Sequence, residues 1–371
     1  MTPEWLYTAH GRDDDPLRYV ALARELVSQG EPRAAATAYD RAFGLAPGDS
    51  EIAAARRALL DQLAIAEHGI VFRYIPAGIF LMGSERGDPD EAPVHPVQLS
   101  NFWLAETPIS WARHCALMGW EPPPAGVPAN YREQMQMANR EDGHNWFFGL
   151  WGVNRIRLQY CEDETSGARD WHAHMPEQIW TRGSDEQISA RELFGEVPRE
   201  HPERPWGYNQ KPVVAVAWEE AVALGERIST SQITYRLPTE AEWEKAARGG
   251  LIDARYPWGD ELPSAERCDF DRFEQFSIRR MRAFRPNGYG LYAMSGSVWE
   301  WTADWYDARY YSESAPINPT GPANGEERVL RGGSWADCAD ALRISFRMSS
   351  RISAAPTIGV RLCRVERKRQ R

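Results

Sequence analysis

The chain has 371 residues, 43% hydrophobic and 26% charged, with 29 Gly, 26 Pro and 16 Trp, which excludes disorder, collagen and coiled coil as descriptions of the whole. Its length suits one main core with something small attached, because single cores stop growing near roughly 250–300 residues. A net charge of −10, with arginines scattered rather than gathered on one face, argues against a nucleic-acid partner.

Residues 1–66 read as a helical appendage. Leu17, Val20, Ala21 and Leu26 are spaced for a helix, Gly30-Glu31-Pro32 breaks it, and Ala34 to Leu45 forms a second helix closed by Pro47-Gly48-Asp49. A further helix is expected from Glu51 to Ala66. Tyr19, Leu22, Ala23, Gly30, Ala35, Tyr39, Ala42 and Pro47 resemble one tetratricopeptide repeat. Such repeats need about three units to stand alone, so this one is expected to pack on its neighbour, with a protein partner on these helices as the other reading. The first residues carry no basic and apolar leader, and no apolar run approaches 18 residues. The expected location is therefore the cytoplasm, without membrane contact.

From residue 67 to 371 the texture is that of a second domain, with short strands, many turns and many aromatics. Ile70–Ile75 reads as a strand ending at Pro76-Ala77-Gly78, and helices are expected at Trp111–Met118, Trp218–Ile228 and Thr239–Arg248. The last begins with a capping box, Thr239 at the cap and Glu242 three residues on. Residues 122–210, rich in Arg, Asp, Glu, Trp and His, read as an insertion, and stretches that long inside compact domains are often functional. The five cysteines are widely spaced and include no CxxC pair, so neither a disulfide framework nor a zinc ribbon is indicated. Cys115 and Cys363 are expected in the core.

Six segments then occur in order: Ile75-Pro76-Ala77-Gly78 through Met82-Gly83-Ser84, Tyr235-Arg236-Leu237-Pro238-Thr239-Glu240-Ala241-Glu242-Trp243-Glu244, Tyr256-Pro257-Trp258-Gly259, Asn287-Gly288-Tyr289-Gly290-Leu291-Tyr292, Gly296-Ser297-Val298-Trp299-Glu300-Trp301 and Arg331-Gly332-Gly333-Ser334-Trp335. Together they resemble the formylglycine-generating enzyme (sulfatase-modifying factor) family, over about Val71 to Arg364 apart from the insertion. The resemblance implies an α+β variant of the C-type lectin fold, low in regular secondary structure. By themselves the motifs are structural: their glycines let backbone turn or approach closely, and their aromatics fill the core.

The resemblance also implies chemistry. Family members that convert a substrate cysteine to formylglycine use two cysteines near the chain end, copper and oxygen, and soft thiolates suit Cu(I). Set on that pattern, Cys338 takes the first position and Arg343 the second. A guanidinium offers a metal no lone pair, so Cys338 reads either as a surviving ligand or as a spare thiol. Trp299, Ser334, Cys338 and the Arg343 position make the candidate catalytic set, in a groove for a peptide, a protein or a small thiol. Calcium is implied too, through the Gly296 and Val298 carbonyls with Glu300, and through Asp269 with the Phe270 carbonyl. Ala293 stands where a side-chain oxygen is usual, which leaves a Glu300 that merely anchors its turn as the other reading.

The insertion holds the densest set of potential ligands. Glu162, Glu164, His172 and His174 are of the types that non-haem iron takes, and the alternative is a solvated acidic loop. A related iron-dependent branch, the sulfoxide synthases, carries iron histidines on an extra helical bundle, whereas this N-terminus offers only His10 and His68. No nucleotide cofactor is indicated. Two functional classes follow: a metal- and oxygen-dependent oxidoreductase acting on a thiol or peptide side chain, its metal held at Cys338 or in the insertion, and a non-catalytic binding module. The second resembles retroelement variable proteins and immunity proteins on the same scaffold, with Ala336 to Ala355 as its display surface.

Overall fold

The computed structural model describes residues 15–118, 179–182, 186–189, 211–214, 216–271, 279–351 and 357–367. Three helices come first, α1 (Pro16–Ser28), α2 (Pro32–Leu45) and α3 (Ser50–Gln62). The first and third start where a side chain satisfies free amides: Asp15 accepts from the Leu17 N–H and Asp49 from those of Glu51 and Ile52, while α2 starts at Pro32, which has no amide to satisfy. This is the expected helical hairpin with its trailing helix, except that the third helix ends at Gln62 rather than at Ala66, because Ile65–Glu67 pairs as a strand with Ile70–Phe72. Tyr19, Val20, Ala23 and Leu26 of α1 are buried, together with Ala35, Ala38, Ala42 and Phe43 of α2. Their core is continuous with that of the rest of the chain. Arg56 of α3 is an anchor: it is 2% exposed, pairs with Asp40 at 2.6 Å, and donates to the Gly288 and Gly249 carbonyls at 3.0 Å.

The main body is built on two sheets. Strands β1 (Ile65–Glu67), β2 (Ile70–Ile75), β5 (Phe102–Ala105), β8 (Ile233–Arg236) and β13 (Cys363–Glu366) form an antiparallel sheet in the order β1-β2-β5-β13-β8, with the last strand inserted between β5 and β8. Strands β9 (Trp299–Trp305), β10 (Arg328–Arg331), β11 (Met348–Ser350) and β12 (Ile358–Gly359) form a second sheet, in the order β11-β10-β9-β12. Strands β3 (Gly78–Met82) and β4 (His95–Leu99) pair separately, and β6 (Ile179–Arg182) with β7 (Glu186–Ser189) make a hairpin within the expected insertion. Helix α4 covers Trp111–Met118 and α5 covers Trp218–Ile228, as the sequence predicts.

Helix α6 (Glu240–Arg248) is buried along its whole length although five of its nine residues are charged. Burying a charge costs heavily unless it is paired, and each of the five meets a partner. Glu240 pairs with Arg347 at 2.8 Å, Glu242 with Arg236 at 2.7 Å, and Glu244 with Arg248 at 2.7 Å and Arg331 at 2.5 Å. Lys245 donates to the Pro76 and Gly78 carbonyls. The predicted capping box is present: Thr239 Oγ1 accepts from the Glu242 amide at 3.2 Å, and Glu242 accepts from the Thr239 amide at 2.8 Å. Among the described residues no helix is long and apolar enough to cross a membrane.

Candidate functional site

Three segments far apart in sequence are stitched together around the start of β9. The Gly296 amide donates to the Gly332 carbonyl at 2.8 Å, Ser297 to Asp269 at 3.1 Å, Trp335 to Ser297 at 2.9 Å and Asp271 to Asp337 at 2.8 Å. Gly333, at φ +70°, is left-handed, and a Cβ there would lie 2.8 Å from the Ala341 carbonyl oxygen; only glycine fits this turn.

Two of the predicted side chains meet on a residue the motifs did not single out. The Ser334 amide donates to Asp337 Oδ2 at 2.9 Å, the Ser334 hydroxyl donates to the same oxygen, and the Trp299 side chain bonds Asp337 too. Burial pushes the Asp337 carboxyl above the usual carboxylate range, against the pull of those donors. Cys338 follows directly, at the cap of the 3-10 turn Ala339–Leu342, with its side chain exposed and unpaired. Cys268 and Cys363 are buried, and burial raises both thiols, Cys268 to about 12. Cys363 lies on β13 as expected; the side chain of Cys115 is outside what the structure describes.

Arg343 closes the same turn and faces away into an ion pair. Its Nη1 lies 2.5 and 2.6 Å from the two oxygens of Glu91, and its Nη2 lies 3.0 Å from Asp88. Glu91 is fully buried and Arg343 is 6% exposed. Burial works against the Arg343 charge, but the Glu91 hydrogen bond and the two carboxylates hold the guanidinium above its ordinary value. Gly87 makes room for this pair, since a Cβ there would collide with both the Glu91 carboxylate and Arg343 Nη1. Beside it lies a cavity of about 50 Å³, lined by Gly83, Ser84, Arg86, Arg248, Arg255 and Arg343 among others. Two thiolates cannot be assembled here: Cys338 stands at one end of the turn and a carboxylate-bound guanidinium at the other. The donor set at this position does not fit copper.

Glu300 already has a cation. Its carboxylate accepts from Arg361 Nε and Nη2 at 2.7–2.9 Å and from the Trp243 indole at 2.7 Å, so a calcium ion taking Glu300 with the Gly296 and Val298 carbonyls would have to displace Arg361. That half of the implied calcium pair does not fit the geometry, and the reading of Glu300 as an anchor does. In the other half, Asp269 Oδ2 accepts from the Arg279 amide at 2.8 Å, and the Asp269 carbonyl accepts from Ser297, just before the Phe270 carbonyl. No group of three His, Cys, Asp or Glu side chains placed to hold a metal occurs among the described residues. The proposed iron set of Glu162, Glu164, His172 and His174 lies outside them.

The profile of the sulfatase-modifying factor enzyme 1-like domain matches residues 67–366. The chain belongs to this family. Sulfatase-modifying-factor relatives include the formylglycine-generating enzyme of Streptomyces coelicolor, 32% identical over 303 residues, with 76% of this chain and 83% of that protein covered. The inactive C-alpha-formylglycine-generating enzyme 2 of Mus musculus is 28% identical over 312 residues, covering 78% of this chain and 83% of that one. The solved structure of PvdO from Pseudomonas aeruginosa aligns with a TM-score of 0.52 at 18% identity, over 81% of this chain and 97% of that one. The family's variant of the C-type lectin fold, expected from the six motifs, is therefore the fold of this sulfatase-modifying-factor domain.

Asp337, Glu91 and Asp88 were not foreseen. Asp337 carried a signal, since Ser334 and Asp337 are three apart directly after a turn glycine, a spacing at which a short side chain bonds the backbone of its own turn. Glu91 carried none, as it lies 252 residues from Arg343.

Proposed function

We propose that this chain is a ligand- or protein-binding member of the sulfatase-modifying factor family which does not carry out the copper- and oxygen-dependent conversion of a substrate cysteine. The observation behind this reading is the Arg343 ion pair: the position of the second thiolate holds a side chain without a lone pair, buried against two carboxylates. Function resides in sites rather than folds, and the family includes a relative named as inactive. The surface offered to a ligand is the rim at Asp337 and Cys338, where the buried Trp299 and Ser334 side chains hold the Asp337 carboxyl in place.

A second reading, a metal- and oxygen-dependent oxidoreductase acting on a thiol or peptide side chain, is favoured by one observation. Cys338 is an exposed, unpaired thiol beside a buried carboxyl group. One assay separates the two. The purified protein is supplied with Cu(I), oxygen, a reducing agent and a cysteine-containing peptide. The binding reading expects no peptide aldehyde above the protein-free control. Aldehyde formation that disappears in Cys338→Ala would establish the oxidoreductase instead.

A further inference from the structure

A second cavity lies between the N-terminal helices and the main body, away from the Asp337–Cys338 rim. It measures about 120 Å³; on this measure one water takes roughly 10–15 Å³, so there is room for on the order of ten heavy atoms. Tyr19, Ile79, Phe80, Leu81 and Ile252 supply apolar wall, and Asp40, Arg41, Lys245 and Arg248 also line it.

The charges around this cavity do not balance. Lys245 is 3% exposed, and Nζ donates to the Pro76 carbonyl at 2.7 Å and the Gly78 carbonyl at 3.0 Å, which leaves one of its three N–H groups. Asp40 is the acid that acts on it, yet one Asp40 oxygen binds Arg56 at 2.6 Å and the other accepts from the Tyr289 hydroxyl at 2.8 Å. Arg248 is neutralised by Glu244 at 2.7 Å. Asp253, which also lines the cavity, is largely exposed and pairs with Arg86 at 3.2 Å. Arg41 stands over the Tyr19 ring at 6.0 Å and has no carboxylate partner among the described residues. Two positive charges, one of them almost fully buried, therefore face an apolar-walled space without a counter-ion. An uncompensated buried ammonium is costly; consistently, burial lowers Lys245 to about 8 despite the attraction of Asp40. A concave apolar site with a few convergent polar groups is the usual form of a small-molecule site.

We propose that this cavity binds a small organic anion, a carboxylate on an apolar body, with Lys245 and Arg41 as its counter-charges. The carboxylate would take the remaining Lys245 proton and the Arg41 guanidinium, and the apolar body would lie against Tyr19 and Ile79–Leu81. Because α1 and α2 form one wall, occupancy would tie the helical appendage to the domain.

The test is calorimetric titration of the full chain with benzoate and with benzamide, a neutral molecule of the same shape. Benzoate is expected to bind, benzamide to bind at least about tenfold more weakly, and Arg41→Gln and Lys245→Met each to weaken benzoate about tenfold or more. Arg41 is only half-buried and outside the core, so its variant keeps the test open if Lys245→Met fails to fold. The proposal is overturned if benzoate does not bind, if benzamide binds equally well, or if Arg41→Gln leaves benzoate affinity unchanged. Inorganic phosphate that displaces benzoate at equal concentration would overturn the organic part of the assignment.

Discussion

Replacing Glu300 by Ala lowers the unfolding free energy by about 3–5 kcal/mol, the usual cost of removing one partner from a buried ion pair. Glu300 is 1% exposed and Arg361 fully buried, and three of the four hydrogen bonds the carboxylate accepts come from that guanidinium. Without Glu300, Arg361 keeps the Ala105, Tyr292 and Ala293 carbonyls, but its positive charge is left in the core with no acid, and the Trp243 indole loses its acceptor. Urea unfolding measures the loss, which is expected to be the same in calcium as in chelator. The double variant Glu300→Leu/Arg361→Leu should recover part of it, because two apolar residues leave no unpaired charge. A Glu300→Ala loss that appears only in calcium would make Glu300 a calcium ligand.

Replacing Arg343 is expected to have a comparable effect. Arg343→Met and Arg343→Cys each leave Glu91, which is fully buried, without its guanidinium, at an expected cost of about 3–5 kcal/mol. The cysteine variant is the more informative of the two, since it restores the thiol that the family pattern places there and still destabilises the protein. The remaining donor to Glu91 is the Asp88 amide at 2.9 Å, too little to stabilise a buried anion. If Arg343→Cys changes stability by less than about 0.5 kcal/mol, the range of ordinary surface substitutions, Arg343 is not part of the framework and the binding reading loses its main support.

The parts of this fold that were legible from sequence are those set by local rules. The α1–α2 hairpin follows from its apolar spacing and the Gly30–Pro32 break, α6 from its capping box, and the lectin-type scaffold from six ordered motifs. Helix α6 also marks where sequence reading ends. Glu240, Glu244 and Lys245 look like a solvated face, but they are buried because Arg347, Arg331 and the Pro76–Gly78 turn reach them from distant strands and loops. The site divides in the same way. Trp299, Ser334 and Cys338 are fixed by neighbouring glycines and could be placed by motif. The partners that give Arg343 and Glu300 their roles, Glu91 and Arg361, lie 252 and 61 residues away, where no spacing rule reaches. The cationic cavity was invisible for the same reason, since Arg41 and Lys245 come to line one space only when α2 packs beside Gly78 and the Gly250–Ile252 segment.

The central claim, that an ion pair occupies the place of the second copper thiolate, is tested most directly by Cu(I) binding in competition with a chromophoric chelator. The wild-type chain is expected to give up its Cu(I) to the chelator, with Cys338→Ala indistinguishable from it. One equivalent retained by the wild type and lost in Cys338→Ala would contradict the account and return the chain to copper–oxygen chemistry.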